Sequence, residues 1–296
     1  MASFASLLIC EARKQARLKL PYIGLAGAAI MAAIWPYTMQ YYSDTSSPFT
    51  GYENVARTMQ AMGTMLFPVF TVIFAATLVA GETSHRTLHY VLCRPIARME
   101  FLASKFAAGF FYAFVMMAVG AVVVALVIGA MMGYATRADQ VLGVEIHPAE
   151  FWGQFSLVCL MSLVSLFATV AYGVFVSVLF RNTGAAVGVA AGLLVALEPI
   201  KQMKWAVLAL FVLRKVGALS QERFASLLSQ WGGFTIDEWV WTSHYGHPFN
   251  LVVNFAAGTP DLWNTPQTWL SLAIPAVWGV GFAVAAAVIM MRRDWG

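Results

Sequence analysis

Five histidines, three cysteines and a few hydroxyl residues are the side chains of this sequence that could ligate a metal or attack a substrate. His85 and His89 stand i, i+4, and His244 and His247 are three apart. Neither pair has a cysteine or an acid at ligand spacing, so no metal or haem site is expected. Cys10, Cys93 and Cys159 fall outside the expected external loops, and no disulfide framework is implied. Ser162, Ser165 and Thr169 lie inside an apolar run with no GxSxG elbow and no HExxH pair in the chain. Their hydroxyls are expected to bond a neighbouring backbone. A GxxxxGK(S/T) phosphate loop is also missing, so the chain does not hold ATP by that device and is not expected to be an enzyme. No long apolar run has a charged residue near its centre, which argues against an ion relay of its own.

The polar residues that remain are concentrated in one island, residues 81–105, GETSHRTLHYVLCRPIARMEFLASK. It holds Arg86, Arg94, Arg98 and Lys105, with Glu82 and Glu100 as its acids. Thr87 can cap a short helix, Leu88, Val91 and Leu92 give that helix an apolar face, and Pro95 ends it. A loop this basic between two spans belongs in the cytoplasm. The expectation is a short surface helix offered to a partner.

The elements that position this island are helices in a membrane. The composition is 60% hydrophobic and only 11% charged, where soluble domains carry roughly 25% charged residues. The apolar runs are long and do not alternate, so helices rather than barrel strands are expected. The expected fold is an all-α membrane protein with six transmembrane helices, over 21–42, 59–80, 106–132, 152–180, 183–198 and 269–291. Residues 1–20 form an interfacial amphipathic helix: Phe4, Leu7 and Leu8 are followed by Glu11, Arg13, Lys14, Arg17 and Lys19. No cleavable signal peptide is expected, because these cations precede a full-length span. Pro68 predicts a kink in the second span. The fifth is short, and an external region over 199–268 follows it, with a re-entrant or interfacial helical segment at 205–213. This arrangement puts eleven of the 18 Lys and Arg, but only four of the 14 acids, on the inner side. Both termini are therefore expected in the cytoplasm.

Gly184, Gly188 and Gly192, interleaved with alanines, open the fifth span, and Gly24, Ala28 and Ala32 form a weaker stripe in the first. Small residues at this spacing let two helix backbones approach closely. The stripes suit a seam between two protomers, span five of one facing span one of the other, or close packing within one protomer.

The island resembles the cytoplasmic loop of the type-2 ATP-binding-cassette exporter permeases. That family shows a Glu, a Gly-Thr-Leu step, a Leu-Leu pair, Pro, Arg, and a Lys opening the next span. Glu82, Thr87, Leu88, Val91 with Leu92, Pro95, Arg98 and Lys105 match, and Arg86 stands where the family often has Gly. The N-terminal interfacial helix, six spans and short fifth span with a re-entrant segment are similar too. The resemblance implies a permease subunit of the inner cell membrane that exports a hydrophobic or amphipathic cargo as a dimer, with a second copy or a close paralogue. It implies a cytoplasmic ATP-binding-cassette ATPase subunit that holds the ATP and Mg, so this chain needs no cofactor of its own. Glu82, Arg86, Thr87, Leu88, Val91, Leu92, Arg94, Pro95 and Arg98 would couple the two subunits. A cargo path would run between protomers past Trp35, Tyr37, Phe67, Phe70 and Phe74. Membrane lipid, and a periplasmic or extracellular protein for the aromatic-rich external region, complete the expected partners; no nucleic acid is expected. A second reading is a non-transporting membrane anchor for a respiratory or cytoplasmic enzyme complex.

Overall fold

The computed structural model describes residues 4–41, 51–84, 97–134, 147–202, 214–215, 220, 222–223, 240–245, 247–256 and 266–293. Among them every regular element is helical and there is no strand. In chain order these are α1 (Phe4–Gln15), α2 (Lys19–Tyr41), α3 (Gly51–Ala61), a π-helical turn (Met62–Leu66), α4 (Phe67–Ser84), α5 (Arg98–Met132), α6 (Pro148–Leu179), α7 (Thr183–Gln202), a 3-10 turn (Trp241–His244), α8 (His247–Ala256) and α9 (Pro266–Arg292). Five helical segments among the described residues are long and apolar enough to cross a membrane: Lys19–Met39, Gly51–Ser84, Arg98–Met132, Pro148–Leu179 and Thr268–Arg292. A sixth apolar segment, Thr183–Glu198, is shorter. In hydrocarbon a backbone must satisfy its own polar groups, and uninterrupted helices do so. The segment expected to be re-entrant, 205–213, lies outside the described residues.

Local chemistry explains where the helices bend and stop. Pro68 has no N–H and its ring crowds the carbonyl four residues back. The chain answers just before it with the π turn, in which the Phe67 N–H donates to the Met62 carbonyl. The expected kink is therefore a slipped hydrogen-bond register, and the helix runs on from Gly51 rather than starting at residue 59. Pro148 sits at the first turn of α6, where its missing N–H costs nothing. Gly133 closes α5 at φ +67°, in the region where a side chain is strained. α5 is 35 residues long, ~52 Å at 1.5 Å per residue against a ~30 Å hydrocarbon core. Its first turns, from Arg98 rather than residue 106, therefore project from the basic end of the bundle.

α6 is the central post: α4 and α9 pack chiefly on it and α8 lies against both it and α3, while α2 packs on α5 and α7 on α4. Of its most apolar stretch 67% is buried, against 17% for α9 and 28% for α2. Gly173 makes the α4–α6 contact possible. A Cβ there would stand 2.6 Å from the Ala75 Cβ and 3.2 Å from the Val72 carbonyl oxygen. At the opposite end of the bundle from the basic residues, Tyr52, Tyr134, Phe151 and Trp152 form an aromatic cluster. α8 buries Phe249, Leu251, Val252 and Val253 there, and the Gln60 amide donates to Asn250 Oδ1 at 2.5 Å.

Two outcomes follow from this packing. Gly173→Ala meets backbone and a Cβ that cannot rotate aside, so it is expected to lower stability by ~1–3 kcal/mol. Gly281→Ala, with nothing within 4 Å, is expected to leave the thermal unfolding midpoint in detergent unchanged; equal midpoints for both variants would contradict the close approach. The second concerns His247 at the start of α8. Burial, and the neighbouring His244 ring 6.4 Å away, hold its imidazole below the ordinary 6.5. The unfolded chain therefore takes up this proton first as pH falls, and stability should decline as pH drops below about 6.5. His247→Gln is expected to flatten that decline, measured by thermal unfolding between pH 7.5 and 5.

Candidate functional site

At the basic end of the bundle the polar side chains of three helices converge on one lysine. Lys105, in α5, is 1% exposed. Its ammonium lies 2.6 Å from Glu11 Oε2 of α1 and also bonds Glu82 Oε1 of α4. Lys14 reaches the same Glu82 oxygen at 2.5 Å, and the Gln15 amide donates to Glu11 Oε1 at 2.6 Å. The Lys105 ammonium also stands 4.9 Å from the centre of the Phe101 ring. Two carboxylates and two ammoniums thus balance, with Lys105, Glu11 and Glu82 buried and Lys14 reaching in from the exposed side. Lysine is almost never fully buried unless paired, and this set supplies the pairing.

Glu82 is held in place by a serine of the central helix. The N–H groups of Val79 and Ala80 donate to Ser177 Oγ at 3.0 and 2.8 Å, and the Ser177 hydroxyl donates to the Ala76 carbonyl. This clamps the last turns of α4 to α6. On the other side of the island, the Arg98 guanidinium donates to the carbonyls of Met290, Met291 and Arg293 at 3.1–3.3 Å. Arg293 in turn donates to the carbonyls of Val178 and Leu179. The last carbonyls of a helix have no partner within it and carry its negative dipole end, so a guanidinium is a fitting cap. The ends of α9 and α6 are closed in this way by cations from elsewhere in the fold.

The island is therefore anchored on both flanks. Of the residues singled out in it, Glu82 and Arg98 are in these networks. Arg86, Thr87, Leu88, Val91, Leu92, Arg94 and Pro95 lie outside the described residues, as do His85, His89 and Cys93. The small-residue stripes divide. Gly24 and Ala28 are covered within the protomer: an added Cβ at Gly24 would meet the Tyr112 hydroxyl at 2.0 Å, and Ala28 is fully buried. On α7 the faces separate. Ala186, Ala190 and Leu194 are buried toward the bundle, while Gly184, Gly188 and Gly192 are exposed, the last two with nothing within 4 Å.

Of the aromatic residues expected along a cargo path, Phe67 and Phe74 are buried inside the bundle. Phe67 is fully buried where Gly120 leaves room, Phe70 lies against Gly27, and Phe74 stacks on Tyr112 with centroids 4.2 Å apart. Trp35 is half-buried and Tyr37 exposed. Phe74 does border a cavity of about 470 Å³, but that cavity lies between α1, α2 and α5. Ser165 and Thr169 donate to the backbone carbonyls of His244 and Ser165. The partnership of Glu11, Lys14, Lys105 and Ser177 was not anticipated. One signal pointed to it: Glu11 is the sole acid of a basic helix, and Lys105 stands at the edge of a long apolar run.

Residues 7–197 match the family model described as ABC-2 family transporter protein. Among curated proteins, the uncharacterized protein YhcI of Bacillus subtilis (strain 168) is 26% identical over 165 residues, 54% of this chain and 52% of YhcI. The chain thus spans about half the length of the curated relative it matches.

Lys105→Met tests the cluster. It removes the cation that separates two buried carboxylates, and breaking a buried pair from one side costs ~3–5 kcal/mol. The thermal unfolding midpoint of the purified protein should fall sharply. Adding Glu11→Gln to that variant should restore part of the loss. An unchanged midpoint in Lys105→Met would show that the cluster carries no stability.

Proposed function

The chain belongs to the ABC-2 family of transporter proteins, and from that premise we propose that it is the permease subunit of an ATP-driven exporter. A separate ATP-binding-cassette subunit binds ATP and Mg and docks on the island between α4 and α5. The observation that carries this reading is the double anchoring of that island. Glu82 and Lys105 tie its flanks to α1 and to each other, and Arg98 ties it to the end of α9. A load applied to residues 85–96 would then act on four helices together instead of bending a loop. The apolar face of Leu88, Val91 and Leu92 fills a groove on the ATPase, and Arg86, Arg94 and Arg98 meet acids or phosphates at its rim.

In this reading the basic end faces the cytoplasm with both termini, as the distribution of Lys and Arg favours. α7 makes the sixth crossing. A second permease copy meets the exposed face of α7 along Gly184, Gly188 and Gly192, where small residues permit backbone contact. Because Gly24 and Ala28 are covered inside the protomer, the first span would offer that copy its bulky exposed face, Ile23, Ile30 and Ile34. The cargo is hydrophobic or amphipathic and travels between protomers rather than through the packed interior that holds Phe67, Phe70 and Phe74.

Co-purification with the ATPase decides the coupling role. Leu88→Asp and Leu92→Asp should each abolish recovery of the ATPase while the permease keeps its elution volume and thermal midpoint. Full recovery of the ATPase by both variants would refute docking through this face.

A further inference from the structure

The cavity between α1, α2 and α5 has no role in coupling or in a path between protomers, and its construction suits a particular guest. Its volume, about 470 Å³, is within the ~300–1,000 Å³ range of small-molecule sites. Leu8 and Ala12 of α1, with Ala16 just after it, form one wall, and Ala108, Phe111 and Val115 of α5 the other. From residue 108 to residue 115 the α5 wall runs about two turns, ~10 Å at 1.5 Å per residue, away from the basic end. The cavity is open on one side, and Phe111 at its edge is 65% exposed. A slot of this form, apolar along its length and opening sideways from a membrane helix, takes a hydrocarbon chain.

Its polar end is as specific. Glu11 and Gln15 line that end, with Glu11 already neutralised by Lys105. The Tyr22 hydroxyl donates to the Ala16 carbonyl at 2.9 Å and pins the turn from α1 to α2. Around that turn Arg13, Arg17 and Lys19 are exposed, with no acidic partner among the described residues. These three cations stand close in sequence to the lining residues Ala12, Ala16 and Pro21, on the stretch that carries the slot's polar end. Cations so placed attract anionic lipid head groups. We propose that the slot holds one acyl chain of an anionic phospholipid, with its phosphate held by Arg13, Arg17 and Lys19. The lipid is a resident component that seats α1 against α2 and α5, and it is distinct from the exported cargo.

Photo-crosslinking of the full-length protein in phosphatidylcholine vesicles tests this directly. A minor fraction of the lipid is phosphatidylglycerol with a diazirine in one acyl tail, and adducts are mapped by peptide mass spectrometry. The expected adducts concentrate on residues 8–25 and 107–115 rather than on Val277, Val280 and Val284 of α9, which are also exposed. A phosphatidylcholine probe with the same tail should label the slot roughly tenfold less, as should phosphatidylglycerol with the Arg13→Gln, Arg17→Gln double variant. Ala108→Phe should remove slot labelling while α9 labelling and the elution volume stay. Even labelling of the slot and α9, or equal labelling by both head groups in the wild-type protein, would overturn the proposal. So would loss of the slot adducts when ATP and the partner ATPase are added, since that would make the guest a cargo.

Discussion

A lysine ammonium with 1% exposure has no stable existence in this fold except between its two carboxylates. Removing one ion from water costs several kcal/mol even after relaxation, and only well-placed opposite charges offset it. Lys105 finds them in Glu11, far upstream of the island in sequence, and in Glu82 at the island's start. The constraint is mutual. If α1 lifted away, Lys105 would lose Glu11; if the end of α4 turned, it would lose Glu82. The short helix α1 is fixed to the bundle by this charge pairing and by its packing on α5. The geometry of the basic end follows from that one requirement.

The backbone imposes a second constraint at the same level. Every helix that ends near the membrane surface leaves carbonyls without partners. Here Arg98 closes α9 and Arg293 closes α6, so the two caps form a chain that links the start of α5 to the central post. Ser177 performs a related task inside the bundle by taking two N–H groups of α4 and returning its own proton to Ala76. Charge pairing, capping and the clamp are three solutions to the same problem: polar groups that cannot reach water must reach each other.

Much of this was legible in the residues. The long apolar runs required helices, the basic interruption at 81–105 marked a special connection, and Glu82 and Arg98 stood out by position. The helix class was set by local chemistry that any stretch carries within itself. The pairing was not legible, because Lys105 and Glu11 are 94 residues apart and nothing local indicates which acid a buried lysine will meet. Helix faces were only half legible. The spacing of Gly24 and Gly188 announces close contact in both cases, but whether the contact is Tyr112 of the same chain or open space depends on how α2 and α7 are rotated. Phe67, Phe70 and Phe74 carry the same ambiguity. An aromatic stripe on a membrane helix fills a core or lines a path with equal ease, and only the glycines opposite, Gly120 and Gly27, decide for the core.

The double anchoring also bears on how motion could pass through such a bundle. Packed interiors have two discrete arrangements more readily than a continuum of deformations. α4 and α6 meet at Gly173 with no slack, and Ser177 fixes their register a turn further on. A displacement of the island therefore cannot be absorbed at the α4 end by sliding of one helix on the other. It must either break the Lys105 cluster, at a cost of several kcal/mol, or carry α1, α4 and α5 with it as a unit. Since α9 is joined through Arg98 and the central post through Arg293, the unit that moves is most of the protomer. If a second copy packs on α7 as proposed, a rigid-body rotation of one copy against the other would leave these contacts intact, and the exposed glycine face of α7 would offer such a rotation little steric resistance.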